Sequence, residues 1–177
     1  MMSRKQILYI IGFMGSGKTT TGKRIASLLN WSFVDLDKKI EEHSGYKIPE
    51  IFSLYGEDHF RIVEAEVLRS LLTDINTVIS TGGGAPCYAG NMEFMLQTGL
   101  TIYLKLTPGQ LMSRLNNSSE KRPLIKNLKG ENLLKYIEDK LKSREKWYER
   151  SEIIIDGFDP DLSNLNLLLR SHLRLGE

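Results

Sequence analysis

The run Gly12-Phe13-Met14-Gly15-Ser16-Gly17-Lys18-Thr19 has the residue types and spacing to hold a chain of phosphates. It satisfies G-x-x-x-x-G-K-[ST], in which glycines allow backbone N–H groups to close around an anion. A helix opening at the end of the loop adds partial positive charge at the same spot. Lys18 can reach the β- and γ-phosphates of a nucleoside triphosphate, and the Thr19 hydroxyl can ligate Mg²⁺. The candidate ATP contacts are therefore Gly12, Gly15, Ser16, Gly17, Lys18, Thr19 and the neighbouring Thr20. A glycine-rich turn without a ligand is the competing reading, and the flanks speak against it. Residues 6–11 have the pattern of a strand buried on both faces, and Ile25, Leu28 and Leu29 follow the loop at helical spacing.

Other groupings carry useful side chains. Asp35-Leu36-Asp37 ends a short strand-like stretch. In a parallel sheet the C-terminal strand ends open onto the ligand crevice, and continued alternation puts both carboxylates on one side. One can then sit near Mg²⁺ while the other accepts hydrogen bonds from a substrate hydroxyl. Alone, an acidic pair ahead of a helix is more often an N-cap than a site. Thr81-Gly82-Gly83-Gly84 ends another stretch, and its glycines leave room for backbone amides to approach an anion. Arg61 and Arg144 fall on predicted helices, off the apolar stripe of each, where a surface ion pair or a ligand would occupy them. Residues 116–130 are polar, basic, interrupted by Pro123 and without helical periodicity. A loop this long in a compact domain suits a lid, with Arg122 closing over transferring phosphate. An arginine on a surface loop is the plainer account.

These residues need elements to hold them. Strand character appears at 6–11, Ser32–Asp35, 76–80, 100–104 and 152–156, with helical patterns between. Thr107 is a predicted N-cap with Pro108 at the first helical position and Leu111, Met112 and Leu115 as the core stripe. A helix over 57–72 turns Phe60, Val63, Val67, Leu68 and Leu71 inward, and one over 161–173 buries Leu162, Leu165, Leu168 and Leu169. The alternation predicts a three-layer α/β/α fold around a five-stranded parallel sheet. A chain of 177 residues, 41% hydrophobic and 26% charged, suits one globular domain with a proper core. A net charge of +2 is too small to argue for nucleic acid or an acidic membrane surface. The apolar runs fall well short of a membrane span, and Met1-Met2-Ser3-Arg4-Lys5 leads into a strand rather than a signal-peptide core. The single Cys87 cannot form an internal disulfide, which suits a reducing cytosol. His43, His59 and His172 are scattered without metal-ligand spacing.

Taken jointly, these blocks resemble shikimate kinase over essentially the whole chain. They are residues 12–20, Asp35-Leu36-Asp37, Gly56-Glu57-Asp58-His59-Phe60-Arg61, Ser80-Thr81-Gly82-Gly83-Gly84-Ala85, Arg122-Pro123-Leu124 and Ser143-Arg144-Glu145-Lys146-Trp147-Tyr148. The phosphate loop alone fits many proteins; six blocks in this order are specific. The resemblance implies a nucleoside-monophosphate-kinase-like P-loop fold in one domain spanning 1–177. Its acceptor-binding segment would lie at about 36–72 and its lid at about 116–130. It further implies ATP- and Mg²⁺-dependent phosphorylation of the shikimate 3-hydroxyl, in chorismate and aromatic amino acid biosynthesis.

On that pattern Lys18, Asp37 and Arg122 are catalytic, and Thr19 and Asp35 belong to the metal environment, Asp35 through water. Asp37, Arg61, Gly82, Gly83, Gly84 and Arg144 bind the acceptor, the arginines at its carboxylate. Arg114 stacks on adenine, and Trp147 and Tyr148 buttress Arg144. The expected partners are small molecules, with no nucleic acid and no membrane, for a monomer in the cytoplasm. One departure is that the family often places a basic residue after the last strand, near adenine, whereas 156–160 here is Asp-Gly-Phe-Asp-Pro. Two rival readings are a gluconate or nucleoside monophosphate kinase and a nucleotide-binding switch. The Asp37, Arg61, triple-glycine and Arg144 combination argues against the first, and the missing Asn-Lys-x-Asp guanine-reading motif against the second.

Overall fold

Side chains alternate across a strand, so a strand is buried along its whole length only where both faces are covered. β1 (Ile7–Ile11) meets that condition at every position, as does β3 (Thr77–Ser80). β4 (Leu100–Lys105) is buried up to its last residue, while β2 (Ser32–Asp35) and β5 (Ile153–Asp156) are partly exposed. In the computed structural model, which describes residues 6–73, 76–117, 125 and 127–173, these form one parallel sheet. The strand order is β2-β3-β1-β4-β5. All five predicted strands are present, shifted by no more than a residue at either end.

Seven helices among the described residues cover the sheet. They are α1 (Lys18–Leu29), α2 (Leu36–Ser44), α3 (Ile48–Ser70), α4 (Asn91–Thr98), α5 (Pro108–Asn116), α6 (Gly130–Tyr148) and α7 (Leu162–Leu173). Ile10 points toward α1, where a Cβ on Gly22 would come within 3.6 Å of it. Tyr9 faces the other way, its hydroxyl 3.0 Å from that of Thr98 at the end of α4. Tyr103, on the same side, packs on Tyr148 of α6 with ring centroids 5.2 Å apart. α7 runs beside α1. Helices thus lie on both faces, and the three layers expected from the alternation are present.

Two departures have local causes. α3 starts at Ile48, well ahead of the predicted 57–72. Lys47 N–H donates to Glu50 Oε2 at 2.7 Å and Ile48 N–H to Glu41 Oε1 at 3.1 Å, which fixes its first turn. Gly56, at φ 82° and ψ 175°, then interrupts the helical path, a conformation open to glycine, so only the second half carries a clean periodicity. Leu28 and Leu168, expected inside, are exposed. The inward stripe of α1 passes through Gly22, Ile25 and Ala26, and that of α7 through Leu165 and Leu169, which turns both leucines outward. The predicted cap of α5 is present as a reciprocal pair: Thr107 Oγ1 accepts from Gln110 N–H at 3.3 Å, and Gln110 Oε1 accepts from Thr107 N–H at 2.9 Å. Arg122 and most of the expected lid (118–124 and 126) lie outside the described residues. No helix among the described residues is long and apolar enough to cross a membrane.

α4 hands the chain to β4 at Gly99, where a Cβ would lie 2.5 Å from the Ile7 carbonyl oxygen and 2.8 Å from the Tyr9 ring. The obstacle is central-strand backbone, which cannot swing aside. Gly99→Ala should cost about 1–3 kcal/mol through overpacking. Urea titration should show a lower midpoint at unchanged m-value; a wild-type midpoint would refute the tight junction.

Candidate active site

β1 and β3 are neighbours, so the loops leaving their C-terminal ends emerge side by side, where a parallel sheet forms its crevice. The phosphate loop wraps from β1 into α1, with Gly17 at φ 90° as the N-cap. Lys18 folds back across it, Nζ donating to Gly12 O at 2.9 Å and Phe13 O at 2.8 Å. Ser16 is fully buried, and among the described residues its hydroxyl has no partner. The Ser16 carbonyl accepts from Arg114 Nη1 at 2.8 Å. Arg114 Nη2 donates to Gly157 O at 2.9 Å and Phe158 O at 3.0 Å. The loop at 156–160 lacks its own cation, and Arg114 of α5 supplies one.

The Thr19 hydroxyl donates to Asp35 Oδ2 at 3.1 Å, and Ser80 Oγ lies 3.5 Å from it. Three hard oxygens therefore gather beside the lysine, a donor set that fits Mg²⁺. Among the described residues no group of three or more His, Cys, Asp or Glu could hold a metal. An ion bound by few protein oxygens, with phosphates and water completing its shell, needs no such group. Asp35 has a second partner: its Oδ1 accepts from Lys38 N–H at 3.4 Å as the N-cap of α2. The extended chain ends there. Asp37 consequently reaches the cleft from the first turn of α2 and not by strand alternation, which corrects the expected geometry while leaving both carboxylates on one hollow.

Arg61 extends from α3. Its Nη1 donates to Glu64 Oε2 at 2.8 Å, and its Nε and Nη2 to Glu57 Oε1 at 3.3 and 2.9 Å. A Cβ on Gly84 would lie 2.7 Å from Arg61 Nη2, so the bare glycine makes room for the guanidinium. Over Gly82, a Cβ would be 3.0 Å from Asp37 Oδ1 and 3.1 Å from Glu64 Oε1, so two carboxylates close on one spot. Glu64 is a wall residue that sequence reasoning missed. It is 1% exposed, and Oε1 has no hydrogen-bond partner among the described residues. Burial pushes its carboxyl above the ordinary range; Arg61 opposes that rise and nearby Asp37 adds to it. The available signal was its spacing three residues after Arg61, which brings two side chains together on a helix.

Arg144 requires a correction. Expected off the apolar stripe of its helix, it lies on it, since α6 buries Leu133, Ile137, Leu141, Arg144 and Tyr148. The stripe passes under the cleft at that point. The Phe13 ring, 5.6 Å from the guanidinium, and the Glu64 charge receive the cation there. Tyr148 is fully buried beside Arg144 and donates its hydroxyl to Gly83 O, so it braces the glycine run as well. Cys87 is half-buried, its thiol pushed up to about 11 by burial, and stays protonated.

One hollow of about 800 Å³ joins these parts. Gly15, Gly17, Lys18, Thr19, Thr20, Asp35 and Arg114 line it, as do Asp37, Arg61, Gly82, Gly83, Gly84 and Arg144. Glu64, Phe52 and Phe60 complete the wall, the two phenylalanine rings 4.6 Å apart. Gly12 and Ser16 are buried within the loop itself. A second hollow of about 630 Å³, between α5, α6 and β5, contains none of the predicted site residues.

A family model described as shikimate kinase matches residues 14–162. The chain belongs to the shikimate kinase family. Shikimate kinase of Parabacteroides distasonis is 40% identical over 150 residues, 85% of this chain and 87% of that protein. The crystal structure of shikimate kinase from Bacteroides thetaiotaomicron matches with a TM-score of 0.88 at 36% identity, over 96% of this chain and 99% of that one. Shikimate kinase from Acinetobacter baumannii, solved in complex with shikimate, matches at 0.82 and 34% identity, over 97% and 95%. A gluconokinase from Sinorhizobium meliloti, at 14% identity and a TM-score of 0.59, shares the P-loop fold alone. Membership makes the chain an ATP-dependent kinase that phosphorylates a hydroxyl of shikimate.

The backbone around Gly84 is pinned by Ala85 N–H to Gly82 O at 3.1 Å and Cys87 N–H to Gly84 O at 2.9 Å. In Gly84→Ala it is therefore Arg61 that must give way. Steady-state kinetics should show the acceptor KM rising about tenfold or more, with little change in the KM for ATP. An unchanged acceptor KM would show that the position of Arg61 does not matter to the acceptor.

Proposed function

We propose that this chain transfers the terminal phosphoryl group of ATP to the 3-hydroxyl of shikimate. The products are shikimate 3-phosphate and ADP, on the route to chorismate and the aromatic amino acids, in the cytoplasm. The observation that carries this reading is the single hollow shared by Lys18 and Thr19 with Asp37, Arg61 and Arg144. A polyol acid needs cations for its carboxylate and acceptors for its hydroxyls, and a phosphoryl donor needs a phosphate loop within reach.

In this reading Arg61 and Arg144 grip the carboxylate, which guanidinium forks match better than ammonium groups do. Asp37 accepts from the ring hydroxyls and orients the attacking one. The hydroxyl oxygen bonds to the γ-phosphorus as the bond from that phosphorus to the bridging oxygen of ADP breaks. The hydroxyl proton passes to Asp37. Lys18 exchanges the carbonyls of Gly12 and Phe13 for phosphate oxygens, a gain because those acceptors are charged. The residues that would hold Mg²⁺ are Thr19, Asp35 and Ser80, and when bound the ion neutralises charge on the β- and γ-phosphates. Arg114 offers its face to the adenine ring. We assign Arg122 a charge-stabilising role from its sequence context alone. Alignment and fixed charge, more than covalent chemistry, supply the acceleration.

ADP release measured with shikimate, gluconate, CMP and no acceptor tests the whole reading: only shikimate should support turnover. A faster rate with gluconate or CMP would replace the acceptor assignment, and slow acceptor-independent turnover would point to a switch. Lys18→Ala should lower kcat by about two to three orders of magnitude, as loss of a preorganised charge does. A near-normal rate would show the loop to be unimportant. Arg61→Lys should raise the shikimate KM about tenfold and leave the KM for ATP in place, because the bidentate fork is lost. A change confined to ATP would move Arg61 out of the acceptor site.

A further inference from the structure

Every hydrogen bond described above for Arg61 goes to a carboxylate of its own helix, Glu57 or Glu64. Those bonds act in the plane of the guanidinium and constrain its tilt poorly. The cation lies over two aromatic rings. Phe60, the preceding residue, is 5.1 Å from Cζ, and Tyr88 is nearer at 4.1 Å. Among the described residues, Tyr88 is the one ring from outside α3 that meets this cation.

Tyr88 follows the glycine run, and its backbone is held firmly although the residue is 39% exposed. Its carbonyl accepts from Asn91 N–H at 2.9 Å. Asn91 is fully buried; Nδ2 donates to Ala85 O at 3.0 Å, and Oδ1 accepts from Arg69 Nη1 at 2.8 Å. Arg69 Nη2 also donates to Ala89 O at 2.9 Å, next to Tyr88. A braced tyrosine thus presents one face to the guanidinium. A ring face attracts a cation without using any of its N–H donors, whereas a further carboxylate would consume them.

We propose that Tyr88 is a positioning residue for the phosphoryl acceptor: its ring fixes the plane of the Arg61 guanidinium, so that the remaining N–H groups meet the acceptor carboxylate in register. The proposal rests on the assignment of Arg61 to that carboxylate. Bidentate recognition of a planar anion depends on coplanarity, so a tilted guanidinium loses binding while the transferring phosphate is untouched.

The test compares Tyr88→Phe, which keeps the ring, with Tyr88→Leu and Tyr88→Gln, which keep bulk but lose the face. Kinetics are measured with shikimate and with its carboxamide analogue, and folding is checked by thermal melting. Either ring-less variant that folds should raise the shikimate KM about threefold to thirtyfold, the range a cation–ring contact spans. Its kcat and its KM for ATP should stay within about twofold of wild type. Tyr88→Phe should behave as wild type, and the ring-less penalty should vanish with the carboxamide. An unchanged shikimate KM, an equal penalty on the carboxamide, or a Tyr88→Phe variant as impaired as Tyr88→Leu overturns the proposal. Arg61→Lys run alongside separates the two levels. If it leaves the acceptor KM unchanged, the carboxylate assignment fails; if it raises the KM and Tyr88→Leu does not, only the role of Tyr88 fails.

Discussion

The close approach of two backbone turns governs the geometry of this cleft. Strand order puts β3 directly beside β1, so the glycine run and the phosphate loop leave the sheet as neighbours. They are then drawn together. Thr81 donates to Ile10 O twice, from its backbone N–H at 3.1 Å and its hydroxyl at 3.0 Å. At Gly83 a Cβ would lie 3.1 Å from Met14 N, so any side chain would pry the turns apart. The Tyr148 hydroxyl donates to Gly83 O and holds the turn from α6. The spacing between the glycine run and the phosphate loop is therefore set by backbone contact. Phosphoryl transfer depends on alignment at the scale of an ångström, and a spacing of this kind does not drift with side-chain rotamers.

The wall proposed for the acceptor is an electrostatic compromise. Arg144 and Glu64 are both buried, and either charge alone in such a place would be costly. Together with Arg61 they form a mixed cluster in which each charge offsets another. Such clusters often contribute little net stability and instead hold groups in fixed positions. Burial, first, and Asp37 push the Glu64 carboxyl up, against the help from Arg61 and Arg144. A carboxylate ligand would add negative charge where two guanidinium groups already meet two acids. Its orientation then follows from which N–H groups Glu57 and Glu64 leave over.

Periodicity and turn chemistry were enough to place the sheet, because β1, β3 and β4 are apolar runs with no competing pattern, and α5 carries its cap in plain view at Thr107 and Pro108. The missed features share a different character. The start of α3 is fixed by a tertiary bond from Ile48 to Glu41 and then hidden by the break at Gly56, which a single-helix template cannot accommodate. Arg144 was expected off the apolar stripe because charge normally marks the outer one; the Phe13 ring and the Glu64 charge that receive it come from other elements. Glu64 and Tyr88 look unremarkable as residue types. Their importance comes from what stands opposite, Asp37 and Arg61, and that partnership depends on how α2, α3 and the glycine run come together.

The nucleotide side shows how a missing motif residue need not mean a missing interaction. No lysine or arginine occurs at 156–160, yet a guanidinium reaches that loop from α5. Arg114 makes three hydrogen bonds to backbone carbonyls, one on the phosphate loop and two after β5, so it clamps both segments to the same helix. Carbonyl acceptors engage the edge of a guanidinium, whereas the adenine contact proposed for Arg114 would use its face. A Cβ on Gly17 would come within 2.9 Å of Arg114 Nη1, so the glycine that opens α1 is also what admits the clamp. Phe158 lies 5.6 Å from that guanidinium and extends the apolar surface beside it. A second cation in the loop would compete for the same carbonyls. In the proposed function, one tethered arginine and an adjacent ring make up the surface for the base.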